Sequence, residues 1–201
     1  MKILHILPIL IALPTAAFAE ETSSHIKPFV GYNMGLTSVQ NYIIQNNGNT
    51  ITSSENVTFN NNNNGNFFLG IEIDDIMALS VDISIDNTST EITGVGTTTT
   101  QQNEFEAEFD LYLTRGSDFK PFISLSAGYT SVDGDIQTSG AIFGIGLGLR
   151  KYISTNVYLG ANLSYKFSTE MNIKQISGTD VNGITMHTSN FGLGISAGYR
   201  F

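Results

Sequence analysis

The chain contains no cysteine and no tryptophan, only four prolines, and nine basic residues against eighteen acidic ones over 201 positions. Each scarcity excludes something. Without cysteine there is neither a disulfide framework nor a thiolate metal site. With a net charge of −9 the chain has no basic footprint for phosphate backbones, which argues against nucleic acid as a partner. No Cys–His metal motif and no phosphate-binding glycine loop occurs. Beyond residue 19 no apolar run approaches the roughly 20 residues of a membrane helix. Any membrane crossing must therefore use strands.

What is present begins with a leader. Lys2 precedes an apolar run over residues 3–13, and Ala17-Phe18-Ala19 supplies a small-x-small cleavage pattern. Residues 1–19 are expected to be a signal peptide, and residues 20–201 a single domain. Residues 20–25 read as a short polar leader.

From Lys27 onward the sequence alternates with period two, which on a strand sends successive side chains to opposite faces. The last segment is the strictest: Phe191, Leu193, Ile195, Ala197, Tyr199 and Phe201 share one parity, and Asn190, Gly192, Gly194, Ser196, Gly198 and Arg200 the other. Seven earlier segments follow the rule. Val30, Tyr32, Met34 and Leu36 mark the first, with Gly31, Asn33, Gly35 and Thr37 opposite and Phe29 an exception. Phe67–Ile73, Leu79–Ile85, Phe105–Leu113, Pro121–Tyr129, Phe143–Leu149 and Val157–Phe167 complete the set. A helical reading fails because the apolar residues recur every second position.

The connections alternate in length. Residues 38–64, 87–102, 131–140 and 168–186 read as polar loops, the first ending in an Asn run, whereas the intervening turns are short. In an up-and-down sheet this puts all long loops at one end. The expected fold is thus all-β, an eight-stranded antiparallel up-and-down transmembrane β-barrel preceded by a signal peptide. A lipocalin-like barrel would turn its apolar face inward. Here the other parity is crowded with Gly and Ser, small enough to fill a narrow lumen, so the large apolar residues are expected to face lipid.

The charged residues on the inward parity then define a candidate site. Glu72, Asp74, Asp82, Asp86, Glu104, Glu106, Glu108 and Asp110 lie on the second to fourth segments, and Lys27, Arg150, Lys166 and Arg200 on the first, sixth, seventh and eighth. Charges drawn away from water need partners, so a lumenal ion-pair network is expected, with Lys27, Arg150 and Arg200 near Asp74 and Asp110. The excess of acids allows a narrow, cation-preferring conduit as the alternative. Acids two apart are what any inward row supplies, so neither a metal site nor a cofactor is expected from spacing alone.

With its alternating segments and terminal aromatic, the chain resembles the small eight-stranded outer-membrane β-barrel proteins, the group that includes the opacity proteins and the barrel domain of outer membrane protein A. The resemblance implies that Phe191, Leu193, Ile195, Tyr199 and Phe201 form the C-terminal signal read by the barrel-assembly machinery. It further implies residence in the outer membrane of a Gram-negative bacterium among lipid and lipopolysaccharide, with long loops extracellular and both termini periplasmic. The implied function is non-enzymatic: envelope structure, with surface loops for adhesion to a host or surface ligand or for antigen display. One local element resembles the His-x-Ser-Asn motif of outer-membrane lipid A deacylases, with His187 as base, Ser189 as nucleophile and Asn190 as oxyanion donor. No Asp or Glu follows Asn190, so the orienting acid that the motif requires is missing and an enzyme is not expected.

Overall fold

The computed structural model of the protein describes residues 26–59, 65–92 and 96–201. The expected signal peptide, the polar leader and the Asn run lie outside them. Its strands are β1 (Ile26–Asn46), β2 (Asn49–Phe59), β3 (Gly65–Ile73), β4 (Met77–Ile92), β5 (Gly96–Tyr112), β6 (Phe119–Gly134), β7 (Ile136–Tyr152), β8 (Val157–Ser168) and β12 (Ile184–Arg200). Three two-residue strands, β9 (Met171–Asn172), β10 (Gln175–Ile176) and β11 (Thr179–Asp180), lie between the last two.

Eight of these strands close the barrel through antiparallel ladders. Neighbours run in order from β3 to β8, β12 pairs with β8, and β1 sits between β12 and β3. Closure leaves no edge along the barrel wall, the condition for strands to cross a membrane. The apolar parity faces outward: Leu111, Leu125, Leu147, Leu159, Leu193 and their neighbours are exposed, while Glu72, Asp82, Glu106, Asp110 and Arg150 on the opposite parity are buried. This inverts the ordinary globular pattern and forms a continuous outward apolar belt.

The expected long loops need correction. β1 does not end near residue 37 but continues to Asn46, turns at Asn47-Gly48 and returns as β2. Asn47 (φ 50°) and Gly48 (φ 81°) both lie in the left-handed region, the two-residue Asn-Gly hairpin geometry. The segment expected as loop 87–102 belongs to a long β4–β5 hairpin paired as far as Ile92 and Gly96. Residues 131–140 are paired strand apart from a tight turn at Asp135, and residues 168–186 hold β9, β10, β11 and the start of β12. Hydrogen bonding along the ladder orders these polar stretches, and their few apolar residues gather in one inward cluster, two features that a largely polar composition does not reveal.

A β-bulge between Gly35 and Thr37 also resets the parity of β1. Phe29 faces inward before it and Tyr42 and Ile44 face inward after it, all buried. Thr37, expected inside, aligns with the outward Leu193.

Candidate functional site

The short turns and the ends Ile26 and Arg200 of the described wall lie at one end of the barrel, and the hairpins at the other. Near the turn end, an ionic and aromatic floor crosses the lumen. Glu72 at the end of β3 is fully buried (0% exposed) and accepts from Lys120 Nζ at 2.8 Å, Arg200 Nη1 at 2.9 Å and the Tyr152 hydroxyl at 2.5 Å. Asp75, in the β3–β4 turn, stands 3.1 Å from Lys120 and 3.4 Å from Lys27. A hydrogen bond with Glu72, with Lys120 and Lys27 beside it, holds the Asp75 carboxyl well below the usual carboxylate range. A depressed acid contributes stability above its unfolded value of about 4, and this contribution fades as the pH falls further.

One layer deeper, Arg150 donates to Asp110 at 3.1 Å and to the Tyr112 hydroxyl. Its guanidinium lies 4.6 Å from the Tyr158 ring centre and 5.2 Å from that of Phe29, within cation–π reach. The rings fit because each sits across from a glycine on the next strand. Register pairs Phe68 with Gly31, Phe29 with Gly70, Phe122 with Gly148 and Tyr158 with Gly198. A Cβ at Gly198 would stand 2.3 Å from the Tyr158 ring, and one at Gly148 would stand 2.2 Å from that of Phe122. Glycine here makes room for close approach of a ring across the ladder.

The middle of the lumen is polar and holds a cavity of about 120 Å³. Lys166 on β8 pairs with Glu106 and, at 3.1 Å, with Glu104 on β5. Asp82 accepts from Asn66 Nδ2 at 3.1 Å and from Ser80 Oγ at 3.2 Å. Glu108 borders this cavity and a smaller one of about 50 Å³ beside it. Gln40 and Gln102, joined at 3.0 Å, lie on the hairpin side. Beyond them an apolar cap of Tyr42, Ile44, Val132, Ile136, Met171, Ile173 and Met186 packs among the hairpins.

Of the twelve charges expected inside, Glu72, Asp82, Glu106, Asp110 and Arg150 are buried, and Lys27, Glu104, Glu108, Lys166 and Arg200 are partly so. Asp74 is a correction: it sits exposed in the turn with φ 52°, and its neighbour Asp75 takes the place by Lys27 and Arg200. The turn breaks strand parity, so extending the row by one more step pointed to the wrong residue. Asp86 lies on β4 opposite Gln102, and its side chain is outside what the structure describes. Lys120, which falls in the short connection before Pro121, lies at the start of β6 and is 2% exposed. Its even number, shared with Phe122, Ser124 and Ser126, was the available signal.

Phe191, Leu193, Ile195 and Tyr199 point outward on β12, and Phe201, just past its end, is exposed. The Phe201 N–H donates to Pro28 O at 2.9 Å and Arg200 N–H to Asn156 O at 2.6 Å, so the end of the strand is stitched to both sides. His187 and Ser189 share the outward parity and align with Ile43 and Asn41 of β1. The acid in register with that row, Glu55, is a further strand away on β2.

Similarity to known proteins spans nearly the whole chain. The family described as "Outer membrane protein beta-barrel domain" matches residues 6–201. No curated protein matches the sequence. Among solved structures, the chain is similar to the outer membrane protein OprG from Pseudomonas aeruginosa at 15% identity and a TM-score of 0.59, covering 87% of this chain and 96% of that one. It is also similar to outer membrane protein AlkL (15% identity, TM-score 0.58, 91% and 94% covered) and to Neisserial surface protein A (13%, 0.50, 88% and 98%). At these identities the likeness is one of fold.

Proposed function

Because the chain belongs to the outer membrane protein β-barrel domain family, we propose that it is a non-enzymatic surface protein, a rigid barrel that holds polar hairpins outside the cell for contact with a host or surface ligand. The observation that carries this reading is the asymmetry of the wall: at one end it stops at short turns, and at the other β1–β2, β4–β5 and β6–β7 extend as paired hairpins. Binding is commonly carried by segments projected from a rigid scaffold. In this reading the hairpins are extracellular and both termini periplasmic, the outward belt contacts lipid and lipopolysaccharide, and the end of β12 engages the assembly machinery. Its test is to replace residues 89–99 by Asn-Gly, closing the β4–β5 hairpin at the Thr88–Thr100 pair. Adherence of cells displaying the protein is expected to fall about tenfold, the scale of losing one strong contact cluster, with heat-modifiable gel migration retained. Unchanged adherence would count against the reading.

A cation-preferring conduit is the alternative, supported by the acidic middle of the lumen. It requires the apolar cap and the Glu72 floor to part, since both cross the lumen. Planar-bilayer recordings are accordingly expected to show no stepwise conductance; sustained cation-selective steps would favour the conduit instead.

A further inference from the structure

We propose that the turn end of the barrel carries a headgroup site for anionic phospholipid, formed by Arg115 in the β5–β6 turn and Lys151 at the end of β7. In the orientation proposed above, on which this assignment rests, the turns meet the periplasmic leaflet and the outward belt lies in hydrocarbon.

Ion pairing divides the basic residues into two sets. Lys27, Lys120, Arg150, Lys166 and Arg200 each meet a carboxylate, whereas among the described residues Arg115, Lys151 and Lys174 make no ion pair. Lys174 lies at the hairpin end, which the exposed Asp133, Glu170 and Asp180 make acidic. Arg115 and Lys151 lie together at the other end, and both are exposed. An exposed, unpaired cation is ordinary in water. What sets these two apart is the apolar surface that reaches them.

Leu113, Phe119 and Ile153 are 58%, 45% and 61% exposed at this rim. The Leu113 N–H donates to Pro121 O at 2.8 Å and the Ile153 N–H to Val157 O at 2.9 Å, so ordered backbone holds two of these side chains in place. Lys151 continues the outward parity of Leu147 and Leu149, and its ladder partners are Phe119 on β6 and Leu159 on β8. Thr114, the neighbour of Arg115, donates its hydroxyl to Phe119 O at 2.8 Å. The two cations therefore bracket Phe119. The belt runs on into the turns and ends on positive charge, the sequence of surfaces that matches hydrocarbon giving way to phosphate. A zwitterionic headgroup balances its phosphate with its own ammonium, whereas an anionic one leaves a charge for the protein to meet. Each base near an anionic lipid surface strengthens binding about fivefold. Asp118, exposed in the same turn, opposes both.

Native mass spectrometry of the folded protein in zwitterionic detergent, offered phosphatidylglycerol and phosphatidylcholine of identical acyl chains, tests this by the lipid retained. Phosphatidylglycerol is expected to be preferred at least about tenfold. Arg115→Gln or Lys151→Gln should each cut the preference about fivefold, and the double change should remove it. Lys174→Gln should leave it intact, and Asp118→Asn should raise it. Each variant is compared once heat-modifiable migration shows it folded. Absence of a preference in the parent would overturn the proposal, as would its survival in the double variant or an equal loss on Lys174→Gln. Displacement of the lipid by excess glycerol phosphate would also overturn it, by showing a site for free phosphate. Retention is read in detergent, so the site stands or falls by it alone. The orientation is read separately, with an impermeant maleimide on Thr155→Cys in intact cells, where labelling would refute it.

Discussion

Replacement of Glu72 by alanine is expected to lower the unfolding free energy of the barrel by about 3–5 kcal/mol, the usual consequence of removing one member of a buried ionic cluster. The carboxylate has no access to solvent and lies within 2.9 Å of both Lys120 and Arg200. Its loss would leave Lys120 buried with only the partly exposed Asp75 opposite it, and would strand the Tyr152 hydroxyl. The penalty is therefore the cost of unpaired charge in a site that cannot admit bulk water, more than the strength of any single contact. Glu72→Gln keeps the shape and one accepting oxygen while removing the charge, and should fall between the parent and Glu72→Ala. Urea titrations in lipid vesicles would measure all three. A loss below about 1 kcal/mol for Glu72→Ala would show that the floor admits water and that the ion pairs are no stronger than surface ones.

Leu147→Arg is the second large effect, expected at about 2–4 kcal/mol, because β7 presents this side chain outward within the apolar belt. Leu147 is 56% exposed and flanked in register by Ile123 and Leu163. In a water-soluble barrel, arginine at so exposed a position would cost little. In lipid it must drag a charge into hydrocarbon. The same change at Leu113, 58% exposed but at the turn end, should cost only about 0–1 kcal/mol, since the penalty falls toward the interface. Equal costs at the two positions would contradict the placement of the belt across the bilayer.

These two residues also mark where sequence reasoning succeeded and where it stopped. The outward face of Leu147 followed from parity and from the glycines between its neighbours, because a strand has only two faces and small residues suit only the crowded one. The inward row of acids followed in the same way. Parity ceases to help wherever the backbone breaks step. The bulge after Gly35 turned Tyr42 and Ile44 inward, and the β3–β4 turn put Asp75 rather than Asp74 beside Lys27. Lys120 was obscured because a short turn and a strand start cannot be told apart by composition. The polar hairpins were read as loops for a related reason: ladder hydrogen bonds order a chain whatever its side chains, and hydropathy does not register them.

The number of wall strands, the hand-over between long and short connections and the lipid-facing side were thus determined by the sequence alone, since each depends on local alternation or on residue size. Partnership was not. Which cation meets Glu72 and which ring lies over which glycine depend on the stagger of eight strands around a closed ring. That stagger joins residues as much as 128 positions apart, as at Arg200 and Glu72. A period of two carries no information about it, and only closure of the barrel decides it.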